Sequence, residues 1–192
     1  MGRTRDVCGI EWHQAWSPRY EKEAVGVAEL PVLQRLLLTT DGTMTTALAT
    51  LLGEPIGVRL LHQDKTMLAQ DDEELSLREG REVIERRALL HGAESRTPLL
   101  LGVSRIAVHR LPREARAALI DGVVPIGLLL RSHEIETFRA PLSIGVRRAS
   151  DEAARYLGDT PMCWRRYLIK ADRRPLMSVD EQFPAAGFAA RQ

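Results

Sequence analysis

The chain is poor in cysteine, in net charge and in long apolar runs, and each shortage removes a class of function. Two cysteines in 192 residues, Cys8 and Cys163, supply neither a disulfide framework nor a tetrahedral thiolate metal site. Lys+Arg 27 against Asp+Glu 26 leaves a formal net charge of +1. That balance encodes no electrostatic footprint for nucleic acid or for an anionic membrane surface. The longest apolar stretches, such as Leu99–Val103 and Ile126–Leu130, are far too short to span a bilayer. The opening MGRTRDVCGIEWHQ lacks the apolar core of a secretory signal, so a cytoplasmic protein is expected. There is no G-x-G-x-x-G or P-loop for a nucleotide cofactor, and Ser104 and Ser143 lack a G-x-S-x-G setting for a hydrolase. What is present is ordinary globular material, 44% hydrophobic and 28% charged, sufficient for one domain.

Helices gather early and in the middle of the chain. Pro31 suits a first helical turn, and VLQRLLL (32–38) sets Val32, Leu33, Leu36 and Leu37 on one side. Thr43 is an N-cap for MTTALATLL, which runs to Gly53 as its C-cap. Further helices are expected from Leu111 to Leu119, from Pro125 through Leu130, and over DEAARYL behind the capping Ser150. Strands are expected from Ile56, over Glu82–His91, Pro98–Val108 and Ile135–Arg147, and over Met162–Lys170 and Pro175–Phe183 around a turn at Ala171–Arg174. The acidic stretch 64–79 is read as an excursion that forms a flap. The expected organisation is a leader over 1–29, one α+β domain with an antiparallel sheet over 30–184, and a tail over 185–192.

Strand alternation singles out two charged residues. In Glu82–His91, Arg86 shares a face with Ile84, Ala88 and Leu90, whereas Arg87 sits with Glu85. A cation among apolar neighbours needs an anion, either a protein carboxylate or a ligand carboxylate. In the last strand Glu181 shares a face with Met177, Val179 and Phe183, where a carboxyl group suits proton transfer or hydrogen bonding. Asp180 falls on the wetter face. A purely structural role would pair Glu181 with Arg86 or Arg166 across the sheet. An Arg and a Glu facing one apolar cavity would bind a small carboxylic acid. His133, Glu134 and Glu136 form a polar cluster without a second histidine at helical spacing, which fits a solvated loop better than a metal site.

Several ordered pieces resemble the chorismate pyruvate-lyase family, in its shorter bacterial branch. DGTMTTAL (41–48) resembles the family's early helix start, and ERRALLHG (85–92) its arginine-bearing strand. LPREA (111–115) with VPIGLLL (124–130) resembles the family's central helix and the element after it. IETF (135–138), RRY (165–167) and PLMSVDEQF (175–183) resemble the closing segments with their Glu-x-Phe. The resemblance runs from about Pro31 to Pro184. It implies a six-stranded antiparallel sheet with helices packed on it and an internal, flap-covered pocket. It also implies a lyase that splits chorismate into 4-hydroxybenzoate and pyruvate without cofactor or metal.

Carried over by motif, the substrate contacts fall on Met44, Arg86, Ile126 and Glu181, with Arg86 and Glu181 as the catalytic pair. Ile126 stands where the family usually has leucine, a volume-conserving change. A gap-free match with the longer branch would put Asp180 at the acid position; Glu181 keeps Glu-x-Phe and the apolar face. Two alternatives share the fold. One is a diverged enzyme that acts on, or cyclises, another small acidic or polyketide-type substrate. The other is a non-catalytic small-molecule-binding domain like those of transcription regulators, disfavoured because no helix-turn-helix precedes the domain.

Overall fold

The computed structural model describes residues 27–121 and 124–188, so most of the expected leader and the last four residues lie outside the described residues. Six strands form one antiparallel sheet: β1 (Ile56–Met67), β2 (Glu82–Gly92), β3 (Pro98–Ile106), β4 (Phe138–Arg147), β5 (Met162–Ala171) and β6 (Arg174–Pro184). Their spatial order is β1-β2-β3-β6-β5-β4. The last hairpin therefore inserts β6 against β3 at the centre. Asp172 and Arg173 take positive φ of 48° and 62°, the two-residue turn whose twist matches flanking antiparallel strands. The expected α+β class and antiparallel sheet are what the structure shows.

Among the described residues five α-helices accompany the sheet: α1 (Val32–Thr39), α2 (Met44–Leu52), α3 (Arg113–Asp121), α4 (Ile126–Ser132) and α5 (Asp151–Leu157). Gly53 ends α2 in the left-handed region at φ 68°, and the Ser150 side chain accepts from the Ala153 amide at the start of α5. Helices α1–α4 cover one face of the sheet in two apolar clusters. Leu37, Leu38, Met44 and Leu48 pack with Leu90, Leu100 and Phe183 in the first. Leu111, Leu119, Leu129 and Leu130 pack with Ile106, Tyr167 and Ile169 in the second. Phe188, beyond β6, stacks on Phe183 at 6.3 Å between ring centroids. Among the described residues no helix is long and apolar enough to cross a membrane.

Two expectations are corrected. The buried stripe of α1 is Gln34, Leu37 and Leu38, while Val32 and Leu36 are each 61% exposed. The end of this helix is tied to the sheet by Arg165, which donates to the carbonyls of Leu37 and Thr40, and the i, i+3, i+4 stripe that faces the sheet begins at Gln34 and leaves Leu36 exposed. The acidic stretch is no flap over the helix-covered face. Residues 64–67 extend β1, and the loop beyond packs Leu75 and Leu77 against Val83 and Ala107. Its Glu74 accepts from Ser178 Oγ and Arg166, whose side chains alternate onto the opposite face from Val179 and Glu181.

Candidate functional site

Register places the functional side chains in two neighbouring rows across the helix-covered face. One row reads Ala88, Gly102, Glu181, Arg165 from β2 to β5. The next reads Gln63, Arg86, Ser104, Val179, Tyr167 from β1 to β5. Ala88 and Gly102 carry too little side chain to fill the space beside Glu181, and a cavity opens at the junction of the two apolar clusters. Its lining includes Met44, Leu90 and Leu100 from one cluster and Tyr167, Ile169 and Val179 from the other. Thr43–Thr45 at the start of α2 and Pro125–Gly127 at the start of α4 border it on the helix side.

Arg86 is only 2% exposed. Its Nη1 donates to Gln63 Oε1 at 2.7 Å and its Nη2 to the Val124 carbonyl at 3.1 Å, which orients the guanidinium plane beside the start of α4. Burial pulls its pKa below the ordinary arginine value, yet a guanidinium starts so high that it stays charged.

Glu181, 7% exposed, is held from two sides. Arg165 Nε donates to its Oε2 at 2.5 Å and Tyr167 Oη to its Oε1 at 3.1 Å. The Arg165 guanidinium also lies 4.9 Å over the Tyr167 ring. Burial works against the charge of Arg165, but the adjacent Glu181 carboxylate together with Tyr167 more than offsets it and the pKa rises. Burial, reinforced by Glu181, pushes the Tyr167 hydroxyl well above the ordinary tyrosine range, so it remains a donor at neutral pH. A carboxylate offers about four lone-pair sites, and two donors leave Glu181 able to accept from a hydroxyl placed in the cavity.

The structure therefore brings Met44, Arg86, Ile126 and Glu181 around one cavity. Asp180 faces the other side of the sheet, where Arg147 Nη2 donates to it at 3.0 Å; burial raises its pKa. The protein partner of Glu181 is Arg165, not Arg86 or Arg166, and Arg166 turns away to Glu74. Arg139 is absent from the sequence reading, and Arg165 and Tyr167 enter it only within the RRY (165–167) motif, without a role. The available signal was the parity of CWRRYLI, which puts Arg165 and Tyr167 on one face with Cys163 and Ile169. Cys163 is buried among apolar neighbours, and burial pushes its thiol up to about 12, far from nucleophilic at neutral pH. Among the described residues no three His, Cys, Asp or Glu side chains gather as metal ligands, and His133 Nδ1 lies 2.9 Å from the Leu129 carbonyl.

The Arg165–Glu181 pair makes a stability prediction. Arg165→Met strands a buried carboxylate and is expected to cost about 3–5 kcal/mol in denaturant unfolding, whereas the double variant Arg165→Met/Glu181→Leu should lose less than the single one. A single variant that loses under about 1 kcal/mol would mean that water already reaches the pair.

Comparison with known proteins agrees with this architecture. The family model described as chorismate pyruvate-lyase, Rv2949c-like, matches residues 38–190. A chorismate pyruvate-lyase from Mycobacterium leprae (strain TN) is 28% identical over 165 residues, covering 78% of this chain and 72% of that protein. One from Mycobacterium tuberculosis (strain ATCC 25618 / H37Rv) is 26% identical over 167 residues, covering 78% of each. Among solved structures, the effector domain of PhnF from Mycobacterium smegmatis shares the fold with a TM-score of 0.60 at 19% identity, over 79% of this chain and 94% of that one. The GntR-family transcriptional regulator from Enterococcus faecalis V583 shares it at a TM-score of 0.53 and 14% identity, over 70% of this chain and 98% of that one. The model match spans well over half of the chain and includes both rows of the cavity, so this chain belongs to the Rv2949c-like chorismate pyruvate-lyase family.

Proposed function

We propose that this protein is a chorismate pyruvate-lyase, releasing 4-hydroxybenzoate and pyruvate from chorismate without a cofactor. The observation that carries the reading is the cavity with buried Arg86 at one end and the Arg165-paired Glu181 in its floor. A ring carboxylate on Arg86 forms a charge-assisted, bidentate contact. The ring hydroxyl then lies toward Glu181, which accepts its hydrogen. The chemistry balances within the substrate. The bond from the ring to the enolpyruvyl oxygen breaks, the hydrogen on the hydroxyl-bearing carbon leaves as a proton to the Glu181 carboxylate, and the ring becomes 4-hydroxybenzoate. The departing enolate takes up that one proton on its methylene carbon and ends as pyruvate. Aromatisation supplies the driving force, so the protein's work is to fix the conformer, exclude water and hold the proton acceptor in place. Met44 and Ile126 pack the ring faces, and Ile126 supplies the volume of the leucine it replaces.

Calorimetric titration tests the site without turnover. 4-Hydroxybenzoate is expected to bind at one site, and benzoate about 10- to 100-fold more weakly, because it leaves the Glu181 acceptor without its hydrogen bond. Equal affinities would remove Glu181 from the ligand.

A further inference from the structure

Arg139 is a cation in the same cavity that the assignment above does not use. It comes from β4, an edge strand that lies four strand spacings, or about 19 Å, across the sheet from β2, which carries Arg86. Both side chains nevertheless line one cavity, with Glu181 and Tyr167 on the strands between them. Arg139 Nη1 donates to the Asp41 carbonyl at 3.1 Å, a contact that ties the guanidinium beside the start of α2. Its Nε is shielded from solvent and has no acceptor, and among the described residues no carboxylate pairs with it. A half-buried guanidinium with a desolvated, unanswered N–H is an incomplete anion site. An anionic group in the cavity would complete it.

Resting on the lyase reading, we infer that Arg139 binds the second carboxylate of the substrate, the one carried by the enolpyruvyl group. Arg86 and Arg139 then form the two poles of a dicarboxylate site, with the ring hydroxyl directed at Glu181 between them. The arrangement separates substrate from aromatic product. The substrate engages both poles, whereas 4-hydroxybenzoate has one carboxylate and engages only Arg86. Cleavage severs the link between the poles, so neither product keeps the affinity of the whole.

The test is a ratio of affinities. Equilibrium binding of chorismate and of 4-hydroxybenzoate is measured for Arg139→Met and Arg139→Lys, each in the Glu181→Gln background that slows turnover. Arg139→Met is expected to weaken chorismate about 10- to 100-fold and 4-hydroxybenzoate less than about twofold, with Arg139→Lys recovering part of the loss. Unchanged chorismate binding overturns the inference. So does an equal loss for both ligands, the signature of a merely structural role. Should the wild-type protein form no 4-hydroxybenzoate, the lyase reading falls, and the ratio still decides whether Arg139 holds a second carboxylate.

Discussion

Arg86→Ala is expected to lower kcat/KM for chorismate by about 30- to 5,000-fold, the equivalent of about 2–5 kcal/mol for truncating one partner of a buried charge pair. The size follows from burial. At 2% exposure Arg86 has little access to solvent, so its contact with a ligand carboxylate is not diluted by water. Gln63 and the Val124 carbonyl fix the plane of the guanidinium before any ligand arrives, which reduces the ordering cost of binding. Lysine at this position keeps a charge but has no planar fork, so Arg86→Lys should recover only part of the activity. A folded Arg86→Ala protein with wild-type kcat/KM would show that the anchor lies elsewhere.

Glu181→Gln should act on a different quantity. The amide keeps nearly the same volume and still accepts from Tyr167 through its oxygen, so chorismate affinity should change little. What it loses is the charge that accepts a proton in the proposed reaction, and kcat is expected to fall by about 10²- to 10⁴-fold, the usual range for a general acid–base group. The same substitution leaves Arg165 without its countercharge, so a loss of stability accompanies the loss of rate. The split between kcat and KM separates the two effects. A variant that is folded at the assay temperature and turns over at the wild-type rate would reduce Glu181 to a structural partner of Arg165.

Much of the fold and part of the site could be read from the residues, and the remainder was hidden for identifiable reasons. Arg86 stood out because its face of β2 is otherwise apolar, and period-two alternation needs no knowledge of neighbouring strands. Glu181 stood out in the same way. Its partner did not, because partnership depends on register. Counting back evenly from the Ala171–Arg174 turn sets Glu181 opposite Trp164. An irregularity at Ile169/Lys170 slips the pairing by one, so Glu181 meets Arg165 instead. Arg139 was invisible for a topological reason: nothing local says that β4 lies at the far edge of the sheet and faces the same cavity as β2. The exposed Val32 and Leu36 show the opposite failure, where periodicity suggested one stripe but the docked helix buries another that starts at the polar Gln34. The acidic stretch read as a flap because nothing in its composition reveals that Leu75 and Leu77 anchor it to the other face.

The most direct measurement is to incubate the purified protein with chorismate alone and follow the products by absorbance and chromatography. The account requires 4-hydroxybenzoate and pyruvate to appear in equal amounts, at a rate that collapses in Arg86→Ala. A folded wild-type protein that releases neither product would contradict it, even if 4-hydroxybenzoate still bound in the cavity.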